Sequence, residues 1–182
     1  MYIITESNNN VIESNSIYSS QSNNQIQIIN SNNSIFRSNN ISTTVFGAYQ
    51  FTNSSNNLIY DSVINVSFGV NNHLVLQDLS KNNRLINVTF STDEISVGSD
   101  STLFVGYYLD INVTNTTGPV VNANATGSLA NGSIGFSNLT NINGLVPKIE
   151  LIQFRVVNDI YYYTDYSLYT VNATIQLGEK QT

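Results

Sequence analysis

The sequence predicts an all-β protein: an immunoglobulin-like antiparallel sandwich over residues 32–182, preceded by an extended N-terminal arm over residues 1–31. Three observations predict it. Apolar and polar residues alternate with a period of two in segment after segment, which sets one face of a strand toward a core and the other toward water. Eleven Tyr and eight Phe lie among β-branched neighbours, a composition that favours strands. No segment carries a helical spacing of apolar residues, and Asn, Gly, Ser and Pro cluster between the alternating runs.

The arm holds the apolar doublets Ile3-Ile4, Val11-Ile12 and Ile17-Tyr18, then Gln25-Ile26-Gln27-Ile28-Ile29, with Asn/Ser stretches between them. Alone, such a segment cannot bury its apolar side chains, so it reads as a tether, a first strand of its own body, or a strand that docks on another body. Alternation then marks the body: Ile64, Val66, Phe68 and Val70; Ile86, Val88 and Phe90; Leu109, Ile111 and Val113; Tyr169, Val171, Ala173, Ile175 and Leu177. Further strands are expected at 42–51, 57–62, 73–78, 101–108, 133–137 and 147–157. About ten short strands of this kind imply a sandwich. The buried Cys–Trp–Cys arrangement of antibody domains is absent, because the chain has neither residue.

Composition narrows the function. The 182 residues include 30 Asn, 23 Ser, 16 Thr and 8 Gln, while only 10% are charged; about a quarter is usual. Six basic against twelve acidic residues give a net charge of −6, which argues against nucleic-acid binding. No apolar run reaches the roughly 20 residues of a membrane span. No charged-then-apolar leader opens the sequence. The single histidine, His73, reads as a partly exposed turn residue. Asp93, Glu94 and Asp100 read as a solvated acidic loop, not as a calcium site. Tyr161, Tyr162, Tyr163, Tyr166 and Tyr169 read as a sandwich edge, and Lys81, Lys148 and Lys180 are available in principle for isopeptide crosslinks. No catalytic residue, metal site or cofactor is expected.

The sequon Asn-x-Ser/Thr occurs at Asn32, Asn40, Asn53, Asn65, Asn87, Asn112, Asn115, Asn124, Asn131, Asn138 and Asn172. From residue 32 onward, composition alone yields about five such motifs, so the eleven present are an excess. Residues 1–31 contain seven Asn and no sequon. Asn65, Asn87, Asn112 and Asn172 fall on the polar phase of their predicted strands, where a glycan can stand in water. Covalent N-linked glycans at these sites would place the chain outside the cell. The scarcity of carboxylates further predicts a fold that tolerates acid, since acid unfolding acts mainly through carboxylates.

A sequon-free arm ahead of a Cys-free, Asn/Ser/Thr-rich β body resembles the subunits of archaeal donor-strand filaments, the glycosylated "threads" of thermoacidophilic archaea, whose heads are similar to bacterial type I pilins. The resemblance implies a sandwich lacking one strand, completed by the arm of a neighbouring copy in a head-to-tail extracellular filament for adhesion or cell–cell contact. It implies Ile3, Ile4, Val11, Ile12, Ile17 and Tyr18 as donor-strand residues, or alternatively the stretch 25–30. Tyr169, Val171, Ala173, Ile175 and Leu177 would line the acceptor groove. A monomeric S-layer-associated or other surface glycoprotein domain, and a secreted carbohydrate-active domain, are the other readings.

Overall fold

The computed structural model describes residues 2–20, 25–44, 47–66, 73–91, 95–129, 132–163 and 170–175. The described residues are all-β, but the architecture is a parallel-sheet β-solenoid of about four turns, not an immunoglobulin-like antiparallel sandwich. The chain divides into two compact units, residues 1–107 with 152–163 and residues 108–151 with 164–182.

In the first unit each coil contributes short strands to parallel ladders. Coil 1 is β1 (Tyr2–Thr5), β2 (Val11–Glu13) and β3 (Ser16–Ser19). Coil 2 is β4 (Ile26–Ile29), β5 (Ile35–Arg37) and β6 (Asn40–Thr43), and coil 3 is β7 (Tyr49–Thr52), β8 (Leu58–Tyr60) and β9 (Val63–Val66). Coil 4 is β10 (Leu74–Gln77) and β11 (Asn83–Ile86), and β12 (Ile95–Val97) and β13 (Leu103–Leu109) open a fifth. One ladder runs Tyr2, Ile26, Tyr49, Leu74, Ile95, so the chain returns to the same place after 24, 23, 25 and 21 residues.

Alternate side chains point inward and stack in columns. Ile26, Ile28, Phe36 and Ile41 of coil 2 lie beneath Tyr49, Phe51, Ile59 and Ile64 of coil 3, all 0–4% exposed. Leu74, Leu76 and Leu85 continue the columns, followed by Ile95, Val97 and Val105. The Phe36 ring meets Tyr49 and Phe51 edge-on, with centroids 5.6 and 6.2 Å away.

The corners explain the Asn and Ser content. At most corners of coils 2 to 4 a residue takes a positive φ, which Asn tolerates better than most L residues, and the next buries a short polar side chain. Asn30, Asn53 and Leu79 (φ 51°, 47° and 65°) precede Ser31, Ser54 and Ser80. Asn33, Asn56 and Asn82 (φ 58°, 58° and 57°) precede Ser34, Asn57 and Asn83. The buried oxygen accepts the amide of the equivalent residue one coil earlier. In the first ladder the amides of Ser7, Ser31, Ser54 and Ser80 donate to the Oγ atoms of Ser31, Ser54, Ser80 and Ser101 at 3.0, 3.0, 3.1 and 3.2 Å. In the second, Asn10, Ser34 and Asn57 donate to Ser34 Oγ, Asn57 Oδ1 and Asn83 Oδ1 at 3.2, 2.9 and 3.0 Å. In the third, Asn15 and Asn39 donate to Asn39 Oδ1 and Ser62 Oγ at 3.0 and 3.1 Å. Corner amides left unpaired in the interior would each cost about 1–3 kcal/mol; the ladders remove that cost.

These corners overturn the sandwich expectation. A hairpin reverses the chain and makes neighbours antiparallel, whereas a single left-handed residue swings it onto the next side of a coil. The alternation is real but belongs to strands of three or four residues. The run expected over Ile86, Val88 and Phe90 is broken by Asn87 at φ 53°. His73 is 4% exposed, not a partly exposed turn residue, and its carbonyl accepts the amides of Ala48 and Tyr49.

The second unit is antiparallel. β14 (Thr114–Asn115) pairs with β15 (Gly118–Pro119), and β16 (Asn124–Ser128) lies between β17 (Ile134–Leu139) and β20 (Thr170–Thr174). Ala125, Phe136, Val146 and Ile149 form its core, with Leu109, Ile111 and Leu151 packed against them. A Cβ on Gly127 would overlap the Phe136 ring, so this position takes no larger residue without displacing the ring.

Candidate functional site

The outer face of coil 1 is the feature that sets this solenoid apart from a closed body. In register, Tyr2 and Ile4 lie under Ile26 and Ile28, Ile12 under Phe36, and Ile17 under Ile41. The four coil-2 residues are fully buried, yet Tyr2 is 46% exposed, and Ile4 and Ile12 are half-buried. Among the described residues no further coil covers these side chains. Tyr2 and Glu6 donate their amides to coil 2, so by the two-residue period the amides of Ile3 and Thr5 face away from it, as on any edge strand. The ladder oxygens end the same way. Ser7 and Asn15 occupy the positions whose coil-2 equivalents, Ser31 and Asn39, accept an amide from the preceding coil. Coil 1 therefore presents apolar side chains, strand edges and hydroxyl and carboxamide groups on one face.

The far end is different. β18 (Ile149–Val157) lies beside β13 in the sheet, and β19 (Ile160–Tyr162) pairs antiparallel with β18. Phe154 and Val156 enter the solenoid core, and Tyr161 packs against it. The Phe154 ring lies 5.5 Å from Tyr161 and 5.0 Å from Tyr163. The edge of β12 is met by Asp159: its carboxylate accepts the Val97 amide at 2.6 Å, and its own amide donates to the Val97 carbonyl at 3.0 Å. No coil-like face remains at this end among the described residues.

The residues expected as a donor strand all lie in coil 1. Ile4, Ile12 and Ile17 point toward the core; Ile3, Val11 and Tyr18 lie on the outer flanks, 53%, 54% and 71% exposed. β1, β2 and β3 are paired in register with β4, β5 and β6 of the same chain. The alternative donor stretch, 25–30, contains the buried strand β4. Of the expected groove residues, Val171, Ala173 and Ile175 are exposed on or just after β20, an edge strand of its sheet. Tyr169 and Leu177 lie outside the described residues, as do Asp93, Glu94, Tyr166, Lys180 and Asn131. Among the described residues no group of three or more His, Asp or Glu could hold a metal ion. Lys148 lies 4.5 Å from the centroid of the Tyr108 ring.

Ten sequon asparagines are described, and none is buried. Asn40, Asn53, Asn65, Asn87, Asn112, Asn115 and Asn172 are exposed, whereas Asn32, Asn124 and Asn138 are half-buried. The coil-1 face was missed by sequence reasoning. The signal that finds it is the recurrence of Ser at 7, 31, 54, 80 and 101, which sets the coil period. No protein-family model, curated protein or solved structure matches this chain.

Proposed function

We propose that this protein is a structural, non-catalytic module of an extracellular glycosylated assembly, and that it associates through the outer face of coil 1, copy to copy. The observation that carries this reading is the asymmetry of the solenoid: one end of its core is covered by Phe154, Val156 and Tyr161, and the other ends in part-exposed Tyr2, Ile4 and Ile12. The absence of sequons from residues 1–31 supports it, because a glycan on coil 1 would obstruct the contact.

A second copy is the occupant that fits. An edge strand alternates donors and acceptors, so it pairs with itself in antiparallel fashion. Asn15 Nδ2 already donates to the Glu13 carbonyl and to Asn39 Oδ1, so what Asn15 offers a neighbour is its Oδ1, as an acceptor. Stacking head to tail is disfavoured, since the far end offers no coil. Pairing first coil to first coil is isologous and closes at two copies. Coil 1 offers about as many residues as one side of a small specific interface, roughly 20.

The test is mass by light scattering of the 182-residue chain across a concentration series. A dimer is expected. Tyr2→Glu and Thr5→Pro, which charge the open core and remove an outward amide, should give monomers with unchanged circular dichroism, while Ile3→Glu on the flank should remain dimeric. A wild-type monomer at every concentration, or dimers indifferent to Tyr2→Glu and Thr5→Pro, overturns the proposed contact.

A further inference from the structure

The sequons are chemically alike in sequence but not in the fold. A glycan is attached at Nδ2 of Asn, so the atom must be reachable and not committed to holding the backbone. Asn53 and Asn87 are corner residues at φ 47° and 53°. Their Nδ2 atoms are engaged, Asn53 with Asn30 Oδ1 at 2.8 Å and Asn87 with Asp61 Oδ1 at 2.6 Å. Asn32 is half-buried, and its Oδ1 accepts the Ser55 amide at 2.6 Å. Asn124 and Asn138 line one shallow groove with Asn122 and Thr174, and Asn124 Oδ1 accepts from Ser137 Oγ at 3.0 Å.

Asn115 differs from Asn53 and Asn87 in being held by its oxygen, and from Asn32 and Asn124, also held by their oxygens, in its exposure. It stands exposed at the tip of the β14–β15 hairpin. Its Oδ1 accepts three hydrogen bonds: from the Thr117 amide at 2.9 Å, from Thr117 Oγ1 at 2.8 Å and from the Gly118 amide at 3.1 Å. The hydroxyl is that of the sequon's own threonine. The three donors fix the carboxamide by its oxygen and leave Nδ2 to solvent. Asn40, Asn65, Asn112 and Asn172 are also exposed.

We infer that N-glycans are carried at Asn40, Asn65, Asn112, Asn115 and Asn172, with Asn115 the most fully occupied, and that Asn32, Asn53, Asn87, Asn124 and Asn138 serve the fold unmodified. This rests on the reading of the chain as an extracellular glycoprotein. The transfer forms a bond from Nδ2 to C1 of the sugar. The C1–O bond to a phosphate leaving group of an activated, lipid-linked oligosaccharide breaks, and the displaced amide proton leaves with that phosphate. The corner asparagines are thus retained for left-handed backbone and ladder geometry, and their sequons arise because a corner Asn is so often followed within two residues by Ser, Thr or a ladder residue.

Site-resolved glycopeptide mapping of the full chain, secreted from an N-glycosylating host, tests the assignment. Glycan at the five named sites, and unmodified peptide at Asn53 and Asn87, is the expected result. Asn115→Gln should then remove the mass of one glycan, and Asn53→Gln should leave the glycan mass unchanged while lowering the melting temperature. Glycan at Asn53 or Asn87 with Asn115 bare overturns the sorting alone. A chain bare at every site overturns both the sorting and the glycoprotein reading beneath it.

Discussion

Asn33 shows what a single residue does in this molecule. It is exposed at φ 58°, between the buried Ser31 and Ser34, and its amide donates to the Ser55 carbonyl at 3.1 Å. Nothing about its side chain is needed for packing; its backbone conformation is. A β-branched residue there meets the left-handed penalty of about 1–2 kcal/mol, and glycine does not. Asn33→Val is therefore expected to destabilise the solenoid by about that amount in urea melts, with Asn33→Gly close to neutral. Equal stabilities for the two variants would refute the role assigned to the corner. This role was not legible in the sequence, where a corner asparagine and a loop asparagine look identical.

At the scale of the element, a strand of three or four residues is too short to hold itself in place, and the corner ladders supply the register. Asn39 is the clearest case. It is 1% exposed, its Oδ1 accepts the Asn15 amide at 3.0 Å, and its Nδ2 donates to the Ile12 carbonyl at 2.9 Å. Asn39→Ala should cost roughly 2–4 kcal/mol, since two part-buried partners lose their bonds at about 1–3 kcal/mol each and water relieves part of it. Asn39→Asp tests the same point, because a carboxylate accepts but cannot donate to Ile12. Chemical denaturation reads both; a change below experimental error for Asn39→Ala would show the ladder to be dispensable. The alternation of the strands was readable beforehand: Ile26 and Ile28, Tyr49 and Phe51, Leu74 and Leu76 all fall on the buried phase. What alternation does not encode is direction. Parallel and antiparallel ladders bury the same phase, so the period of about two dozen residues, carried by Ser and Asn and not by apolar residues, was the missing information. The apolar doublets of residues 1–31 look isolated until they are placed over Ile26, Ile28, Phe36 and Ile41, one period on.

The whole molecule follows from what its interior does and does not contain. The ladders are built from Ser and Asn, which do not titrate between about pH 2 and pH 9. Stability in urea is expected to change little from pH 7 to pH 3, and loss of most of it over that range would contradict the assignment. The alkaline side behaves differently. Burial pushes the Tyr49 phenol well above its ordinary value, with Asn39 pulling weakly the other way. The unfolded chain releases this proton near pH 10 and the folded chain holds it, so the contribution is complete below about pH 10 and falls by about 1.4 kcal/mol per pH unit above it. Tyr49→Phe should flatten that decline; an unchanged alkaline slope would show that Tyr49 is not its source.

The unequal ends of the solenoid also give it a direction of failure. In a stack where each layer is held by its neighbours, a layer with one neighbour opens before a layer with two. Among the described residues coil 1 packs only on coil 2, whereas β12 and β13 are backed by Asp159, Phe154 and Val156. Fraying consequently begins at Tyr2 and advances coil by coil toward the hairpin, and a second copy seated on coil 1 would act as a stopper that holds the first layer shut.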